Sequence, residues 1–431
     1  MRVLLISPNR LRLVTPPLPL GLAGVAADVR LEHDVRTVDL MFAEDPEKEV
    51  QRTVQAFPPD FVGLSLRNID NQDSRHPEAY FPEVRKLIQF LRKLTEAPVL
   101  VGGSGFSIMP REFMAYLEAD FGLVGEGEIN LRTFLRVWPQ GNWEACPGLI
   151  RPAGGSWQIN PVKLVEPLGE LPAPALGLFT PCLYHEAPGT AKLPGMIPVQ
   201  SRRGCPMGCI YCTTPLLEGR RIRAWPPEKV AARLAGWYEK WGLTRFYFVD
   251  SIFNHPRDYA RRLCQAIKDL HLPLEWGCIV NPAFPDPELF HLIREAGGVR
   301  VQVGNESGSE LVLRQLGKGF GREQVEETLN LLAAAGLPYT CFLLLGGPGE
   351  TPQSVQESVA LLEAYQPLLV NLTVGVRIYP GLPLHRQAVT EGLLQPDESL
   401  LWPKFYLAPA VKDWIWGYLE EVTARNPHWI F

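Results

Sequence analysis

Short apolar runs alternate with helical periodicities along most of this chain, and no other feature constrains its fold as much. Five runs near the start have the length and apolar character of buried strands: residues 3–6, 35–38, 61–66, 98–101 and 121–124. Between the third and fourth, Val84, Leu87, Ile88, Leu91 and Leu94 follow the i, i+3, i+4, i+7 spacing of an amphipathic helix. Apolar strands joined by helical crossovers predict a parallel sheet covered on both faces, a doubly wound, Rossmann-like α/β domain. Such sheets take ligands outside the carboxyl ends of their strands. There the chain places Ser65-Leu66-Arg67-Asn68, Gly102-Gly103-Ser104-Gly105 and Gly125-Glu126-Gly127-Glu128. Glycine lets backbone approach a ligand closely. These loops read either as ordinary turns or as ligand contacts.

A second alternation begins at residue 197, with strand-like runs at 197–201, 245–250, 275–280, 299–304, 339–346 and 370–377. Helical patterns lie between them, for example Val230, Leu234, Trp237 and Trp241, or Val325, Leu329 and Leu332. Six β/α units are too few for a closed eight-fold barrel and predict a partial, TIM-like (β/α)6 barrel with its site at the carboxyl ends of the strands. Residues 139–196 have little periodicity and are punctuated by Pro147, Pro152, Pro161, Pro167, Pro172, Pro174, Pro181, Pro188 and Pro194. They read as a linker. The expected organisation is a first domain at 1–138, a linker at 139–196, a barrel at 197–385 and a tail rich in Trp and Pro at 386–431.

The bulk composition excludes more than it identifies. The chain has 431 residues, with 42 basic against 47 acidic, a net charge of −5. Nothing in that balance favours nucleic acid or an anionic membrane. The first apolar run is too short for a signal peptide, and no window approaches the ~18 apolar residues of a membrane span. Eight cysteines are too dilute for a disulfide scaffold. The expectation is a cytoplasmic protein with reduced thiols.

Three of those cysteines share one octapeptide, Cys205-Pro206-Met207-Gly208-Cys209-Ile210-Tyr211-Cys212, just past the first barrel run. Three close thiolates suit iron or zinc. A structural zinc site takes four ligands, usually as two spaced pairs, and no second pair follows. Cys264, Cys278 and Cys341 lie in apolar patterns and read as packing residues. A [4Fe–4S] cluster needs one thiolate per iron, so three cysteines leave one iron open.

The CxxxCxxC spacing resembles that of the radical S-adenosylmethionine (radical SAM) enzymes. The resemblance implies that Cys205, Cys209 and Cys212 hold a [4Fe–4S] cluster whose open iron is chelated by S-adenosylmethionine. It implies S-adenosylmethionine contacts from Tyr211, from Asp250, Ser251 and Asn254 after the second barrel run, from Glu306 and Ser307 after the fourth, from Gly346 and Gly347 after the fifth, and from Arg377 after the sixth. Asp250-Ser251 stands where the family usually has Gly-Gly-Glu. Glu306 and Arg377 also read as an ion pair at the barrel mouth, and Glu350 as a carboxylate favourable at a helix start.

Preceded by a five-strand ligand domain, such a barrel resembles the cobalamin-binding radical SAM subfamily over nearly the whole chain. The cobalamin contacts implied are Ser65, Leu66, Arg67, Asn68, Gly102, Gly103, Ser104, Gly125, Glu126, Gly127 and Glu128. Many cobalamin domains carry Asp-x-His-x-x-Gly after the first strand. Here Ser7-Pro8-Asn9-Arg10-Leu11-Arg12 follows, and the first histidine is His33. The expectation is base-off cobalamin without a histidine ligand, with Arg67 at the lower face or bound to a corrin amide, a phosphate or a carboxylate of the barrel.

The resemblance implies a methyltransferase acting on an unactivated carbon or phosphorus through a 5′-deoxyadenosyl radical and methylcobalamin. A cobalamin-bearing enzyme of non-methylating, ring-forming or oxidative chemistry shares every motif. A non-catalytic cobalamin-binding scaffold would not need an open iron. The partners implied are a small-molecule or peptide substrate and an external electron donor such as flavodoxin or ferredoxin. No residue stands out as a catalytic acid or base.

Overall fold

The computed structural model describes residues 1–12, 15–187 and 194–431. Pro188, assigned to the linker, lies outside them. The chain divides into two compact units. The first comprises Met1–Asn71, Ala79–Pro198 and Leu216–Gly219; the second comprises Gln72–Glu78, Val199–Pro215 and Arg220–Phe431.

In the first unit, β1 (Arg2–Ser7), β2 (Asp34–Asp39), β3 (Phe61–Ser65), β4 (Val99–Gly102) and β5 (Phe121–Leu123) pair in parallel in the order β2-β1-β3-β4-β5. Val3 to Ile6 and Phe61 to Leu64 are buried on both faces, which is why these strands read as continuous apolar runs rather than as alternation. The helix Phe81–Leu91 buries the predicted stripe of Val84, Leu87, Ile88 and Leu91. Two strands were not expected. Within the segment read as linker, β6 (Leu149–Ala153) and β7 (Ser156–Ile159) form an antiparallel hairpin that extends the sheet beyond β5. Its two turn residues, Gly154 and Gly155, have φ of +55° and +80°, the backbone that a two-residue hairpin needs and glycine supplies.

The second unit is built on a seven-stranded sheet. Along the chain its strands are β8 (Ile197–Val199), β11 (Arg245–Phe248), β12 (Glu275–Val280), β13 (Gly298–Glu306), β14 (Tyr339–Leu345), β15 (Leu369–Val374) and β18 (Trp429–Ile430). Their order across the sheet is β18-β15-β14-β13-β12-β11-β8, and the pairings from β11 to β18 are parallel. The six barrel runs are all strands, and the seventh comes from the expected tail. Two antiparallel ribbons flank the sheet: β9 (Arg202–Arg203) with β10 (Arg223–Ala224), and β16 (Val376–Arg377) with β17 (Phe405–Tyr406). The tail therefore packs by pairing twice, through Phe405–Tyr406 and through Trp429–Ile430. Trp402 remains half exposed. Cys264, Cys278 and Cys341 are fully buried, and all eight cysteines are free thiols. Among the described residues, no helix is long and apolar enough to cross a membrane.

Candidate active site

The cysteine loop leaves the carboxyl end of β8, as a barrel site requires. Its shape depends on glycine. Gly204 has φ of +98°. Gly317, at φ +69°, presses on the loop so closely that a Cβ there would lie 2.8 Å from the Gly208 carbonyl oxygen. The Ile210 N–H donates to the Leu316 carbonyl (3.1 Å), and the Leu384 N–H donates to the Ile210 carbonyl (3.1 Å). Cys205 is buried, while Cys209 and Cys212 are partly accessible. The Cys212 thiol donates to Thr214 Oγ1 at 3.4 Å. Burial pushes the Cys209 thiol up, and Lys318 opposes that shift. Among the described residues, no three ligating side chains converge on a point as a single metal ion demands. Three thiols on one loop fit a [4Fe–4S] cluster with one open iron, because each thiolate then meets a different iron.

Lys318, which the sequence reading missed, organises this region. Its Nζ donates to Glu306 Oε1 at 3.1 Å and to Tyr211 Oη at 3.2 Å. The Lys318 and Glu306 side chains are only 6% and 18% exposed. Burial works against the lysine's charge, but Glu306, Tyr211 and Cys209 outweigh it and hold the ammonium well above its ordinary range. Burial and the Glu306 carboxylate likewise push the Tyr211 phenol upward. Glu306 has φ of +61°, a left-handed backbone that is uncommon outside glycine. The ion pair of Glu306 thus forms with Lys318 rather than with Arg377. The available signal was a lone lysine between two glycines, Gly317 and Gly319, both at positive φ.

The remaining expected S-adenosylmethionine contacts divide into two groups. Ser251 is partly accessible. Gly346, at φ +81°, and Gly347 are buried and packed against leucines, since a Cβ would come within 2.3 Å of Leu407 and 3.0 Å of Leu316 respectively. The others are fully engaged inside the protein. Asp250 is buried and accepts from the Ser201 N–H (2.7 Å), the Arg202 N–H (3.0 Å) and the Ser201 hydroxyl, with Arg202 Nε at 3.3 Å. Asn254 donates to the carbonyls of Asn281 (2.9 Å) and Phe284 (2.8 Å). The Ser307 hydroxyl meets that of Ser358 at 3.0 Å. Arg377 donates to the carbonyls of Ile378 (2.6 Å), Leu400 (2.9 Å) and Lys404 (3.4 Å), so it holds the tail segment. These four shape the loops at the strand ends. Glu350 does the same, accepting from the Gly346 N–H (3.2 Å) and the Ser354 hydroxyl (2.5 Å), and burial pushes its carboxyl up to about 7.

In the first unit the expected cobalamin contacts gather at the carboxyl ends of β3, β4 and β5. The β3 and β4 loops press backbone against backbone. A Cβ on Gly103 would sit 2.7 Å from the Leu66 carbonyl oxygen, and one on Gly105 would sit 2.8 Å from that of Arg67. The Leu66 carbonyl accepts from the Gly105 N–H (3.0 Å), and the Ser104 hydroxyl donates to the Arg67 carbonyl (3.2 Å). Leu66 is buried, whereas Ser65, Arg67, Asn68, Gly102, Gly103, Ser104, Gly125 and Gly127 retain accessible surface. Glu126 and Glu128 are buried. Glu126 Oε2 accepts from the Val165 N–H at 2.5 Å and so ties down the segment after the hairpin. Arg67 combines two properties: it is exposed, yet desolvation lowers its pKa. Tyr184, whose hydroxyl donates to Asp39, shares its surroundings. The accessible backbone-lined cradle, with a cation in it, fits a large amide-rimmed cofactor. His33 precedes β2, so it lies at the opposite, amino-terminal edge of the sheet; it is desolvated and its ring nitrogens have no partner.

A model of the radical SAM superfamily matches residues 199–362, and a model of the B12 binding domain matches residues 10–135. The chain belongs to the cobalamin-binding radical SAM enzymes. It is 26% identical to an uncharacterized methyltransferase of Pyrococcus horikoshii, covering 94% of this chain and 86% of that protein. It is 24% identical to the cytidylyl-2-hydroxyethylphosphonate methyltransferase of Streptomyces wedmorensis, covering 93% and 84%. Its fold is that of the radical S-adenosylmethionine methyltransferase TsrM of Kitasatospora setae, solved with tryptophan substrate and a SAM analogue, at a TM-score of 0.84 and 22% identity over 98% of this chain and 88% of that one.

Proposed function

We propose that this radical SAM enzyme transfers a methyl group from S-adenosylmethionine, by way of cobalamin, to an unactivated carbon or phosphorus of a small organic molecule. One observation carries the reading: the likeness to proteins named methyltransferases runs through both cofactor regions, over more than nine-tenths of the chain. The bound groups would supply one-electron chemistry at the open iron and a methyl carrier at cobalt. The chain's own residues bind and orient. Cys205, Cys209 and Cys212 hold the cluster, on a loop fixed by Gly204 and Gly317. Lys318, already paired with Glu306, would present a buried cation to the carboxylate of S-adenosylmethionine, and the backbone of Gly346 and Gly347 would lie against its adenine. These contacts are assigned to the barrel, residues 197–385, and cobalamin to residues 1–138.

On the cobalamin side, Arg67 would face the lower side of the corrin, and the cofactor would be held base-off, with no histidine supplied to cobalt. The position of His33 at the far edge of the sheet supports this. The Arg67 guanidinium would be a cation that offers no lone pair as a ligand from below.

Incubation of the reconstituted enzyme with S-adenosylmethionine labelled in its methyl group tests the reaction. Label in the product is expected, whereas an unlabelled, ring-closed product would replace methyl transfer with the ring-forming chemistry of the same cofactors. The electron paramagnetic resonance spectrum of the cob(II)alamin form tests the lower face. Strong nitrogen hyperfine coupling would refute the assignment of Arg67.

A further inference from the structure

The β9–β10 ribbon and the helix Pro227–Trp241 bring together a group of side chains that the proposed reaction leaves without a task. Arg203 on β9 stands directly opposite Arg223 on β10, and both are buried. Trp225 follows β10 and is 5% exposed. Its backbone is fixed: its N–H donates to the Ser201 carbonyl (3.0 Å), and its carbonyl accepts from the Tyr259 hydroxyl (2.7 Å). Two guanidiniums lie over its ring. Arg203 comes from the ribbon, 5.3 Å from the ring centroid, and Arg233 comes from the helix, at 5.4 Å. Two like charges therefore share one indole.

Neighbouring arginines have carboxylates: Arg202 meets Asp250 at 3.3 Å, and Arg262 meets Glu228 at 2.9 Å. Among the described residues, no carboxylate pairs with Arg233. Burial lowers its guanidinium to about 10, with Arg203 adding to the shift and Tyr259 opposing it. The Arg233 Nε–H and the Trp225 indole N–H are both buried without a hydrogen-bond partner among the described residues. A buried donor left unpaired costs its full desolvation, and native structures seldom keep one without a use. Contact with the indole face attracts each guanidinium but offers the N–H groups no acceptor. Arg233 keeps some accessible surface, which gives a small anion a way in.

We infer that this cluster is a binding site for a phosphate group, held by the guanidiniums of Arg203 and Arg233 and by the indole N–H of Trp225. A guanidinium presents a planar fork of donors that fits phosphate and carboxylate oxygens. A phosphate group carries about −1.5 to −2 charge near neutral pH and three acceptor oxygens. It therefore matches a pair of cations and the spare donors beside them, where a carboxylate brings a single charge. Arg203 directly precedes Gly204-Cys205, so the occupant joins the helix to the root of the cysteine loop. The inference is independent of the reaction proposed above.

Isothermal titration calorimetry of the holoenzyme with inorganic phosphate, in chloride buffer of matched ionic strength, tests the site. One phosphate per chain is expected. Arg233→Met should weaken it at least about tenfold, the loss of one charge-assisted hydrogen bond. Trp225→Phe, which keeps a ring and removes the N–H, should weaken it severalfold. Arg262→Met, which removes an exposed arginine, should leave binding unchanged. Thermal scans give a second reading: phosphate should raise the wild-type Tm, and Arg233→Met should melt higher than wild type in chloride and be indifferent to phosphate. Methyl phosphate that binds as well as phosphate would identify the occupant as the phosphoryl group of a larger molecule, and its exclusion would identify the free ion. Absence of phosphate binding, binding unchanged in Arg233→Met, or equal weakening by Arg262→Met would overturn the site.

Discussion

Lys318 shows how one side chain ties the cysteine loop to the strand that faces it. It reaches Tyr211, the residue before Cys212, and Glu306, at the end of β13. Replacing it with methionine leaves the Glu306 carboxylate enclosed without its partner, which costs roughly 3 kcal/mol or more. Lys318→Met should lower stability to denaturant and weaken S-adenosylmethionine binding measured by calorimetry, while Lys318→Arg should retain much of both. Among the cysteines, alanine at 205, 209 or 212 should remove iron and sulfide from the reconstituted protein. Cys264→Ala and Cys341→Ala should keep both, because those thiols are packed in the core. Iron and sulfide analysis separates the two sets.

At the scale of elements, two short pieces set the shape of the barrel mouth and edge. The turn after β14 is held by the buried Glu350, whose carboxyl stands near 7 in the fold against an unfolded value of about 4.3. The folded form therefore binds more protons than the unfolded form between those values. Its stabilising contribution is complete below the unfolded value and is lost as pH rises through about 7. Wild type should thus lose melting temperature relative to Glu350→Gln between pH 5 and pH 8, read by thermal scans of both proteins at each pH. At the sheet edge, β18 is only two residues long, but Trp429 is 3% exposed. Trp429→Ala should destabilise the second unit by about 3–5 kcal/mol and uncover the edge of β15, seen as a lower Tm and faster aggregation.

At the scale of the molecule, the proposed cofactor sites lie at the carboxyl ends of each unit's own parallel strands. Lesions should therefore separate. Cys209→Ala is expected to lose the cluster and keep cobalamin, whereas Gly103→Val, which drives a side chain into the Leu66 carbonyl, is expected to lose cobalamin and keep the cluster. Iron analysis and corrin absorption on the same samples check both halves. The chain also exchanges segments between units: residues 72–78 belong to the second, and 216–219 to the first. Ser74 donates to the Val374 carbonyl, and Arg75 pairs with Glu420 at 2.9 Å, so the seven-residue segment is tied to β15 and to the last helix. A cut between residues 198 and 199 would leave each unit without one of its segments.

Periodicity by itself determined the two parallel sheets, because burial on both faces writes long apolar runs that survive in a single sequence. Spacing singled out the cysteine loop, since CxxxCxxC is local. What escaped was short or non-local. The β6–β7 hairpin was signalled only by Gly154-Gly155 and masked by Pro152, and β18 is too brief to show a period. Asp250, Asn254, Ser307 and Arg377 stand at the expected strand ends, but tertiary contacts spend their polar atoms on carbonyls, hydroxyls and a buried arginine. Lys318 reaches Glu306 only because the chain folds back across twelve residues to bury both. Strand ends can be read from sequence; which side chains there remain free for a ligand is decided by packing, because a polar atom already paired inside the protein has no bond left to give.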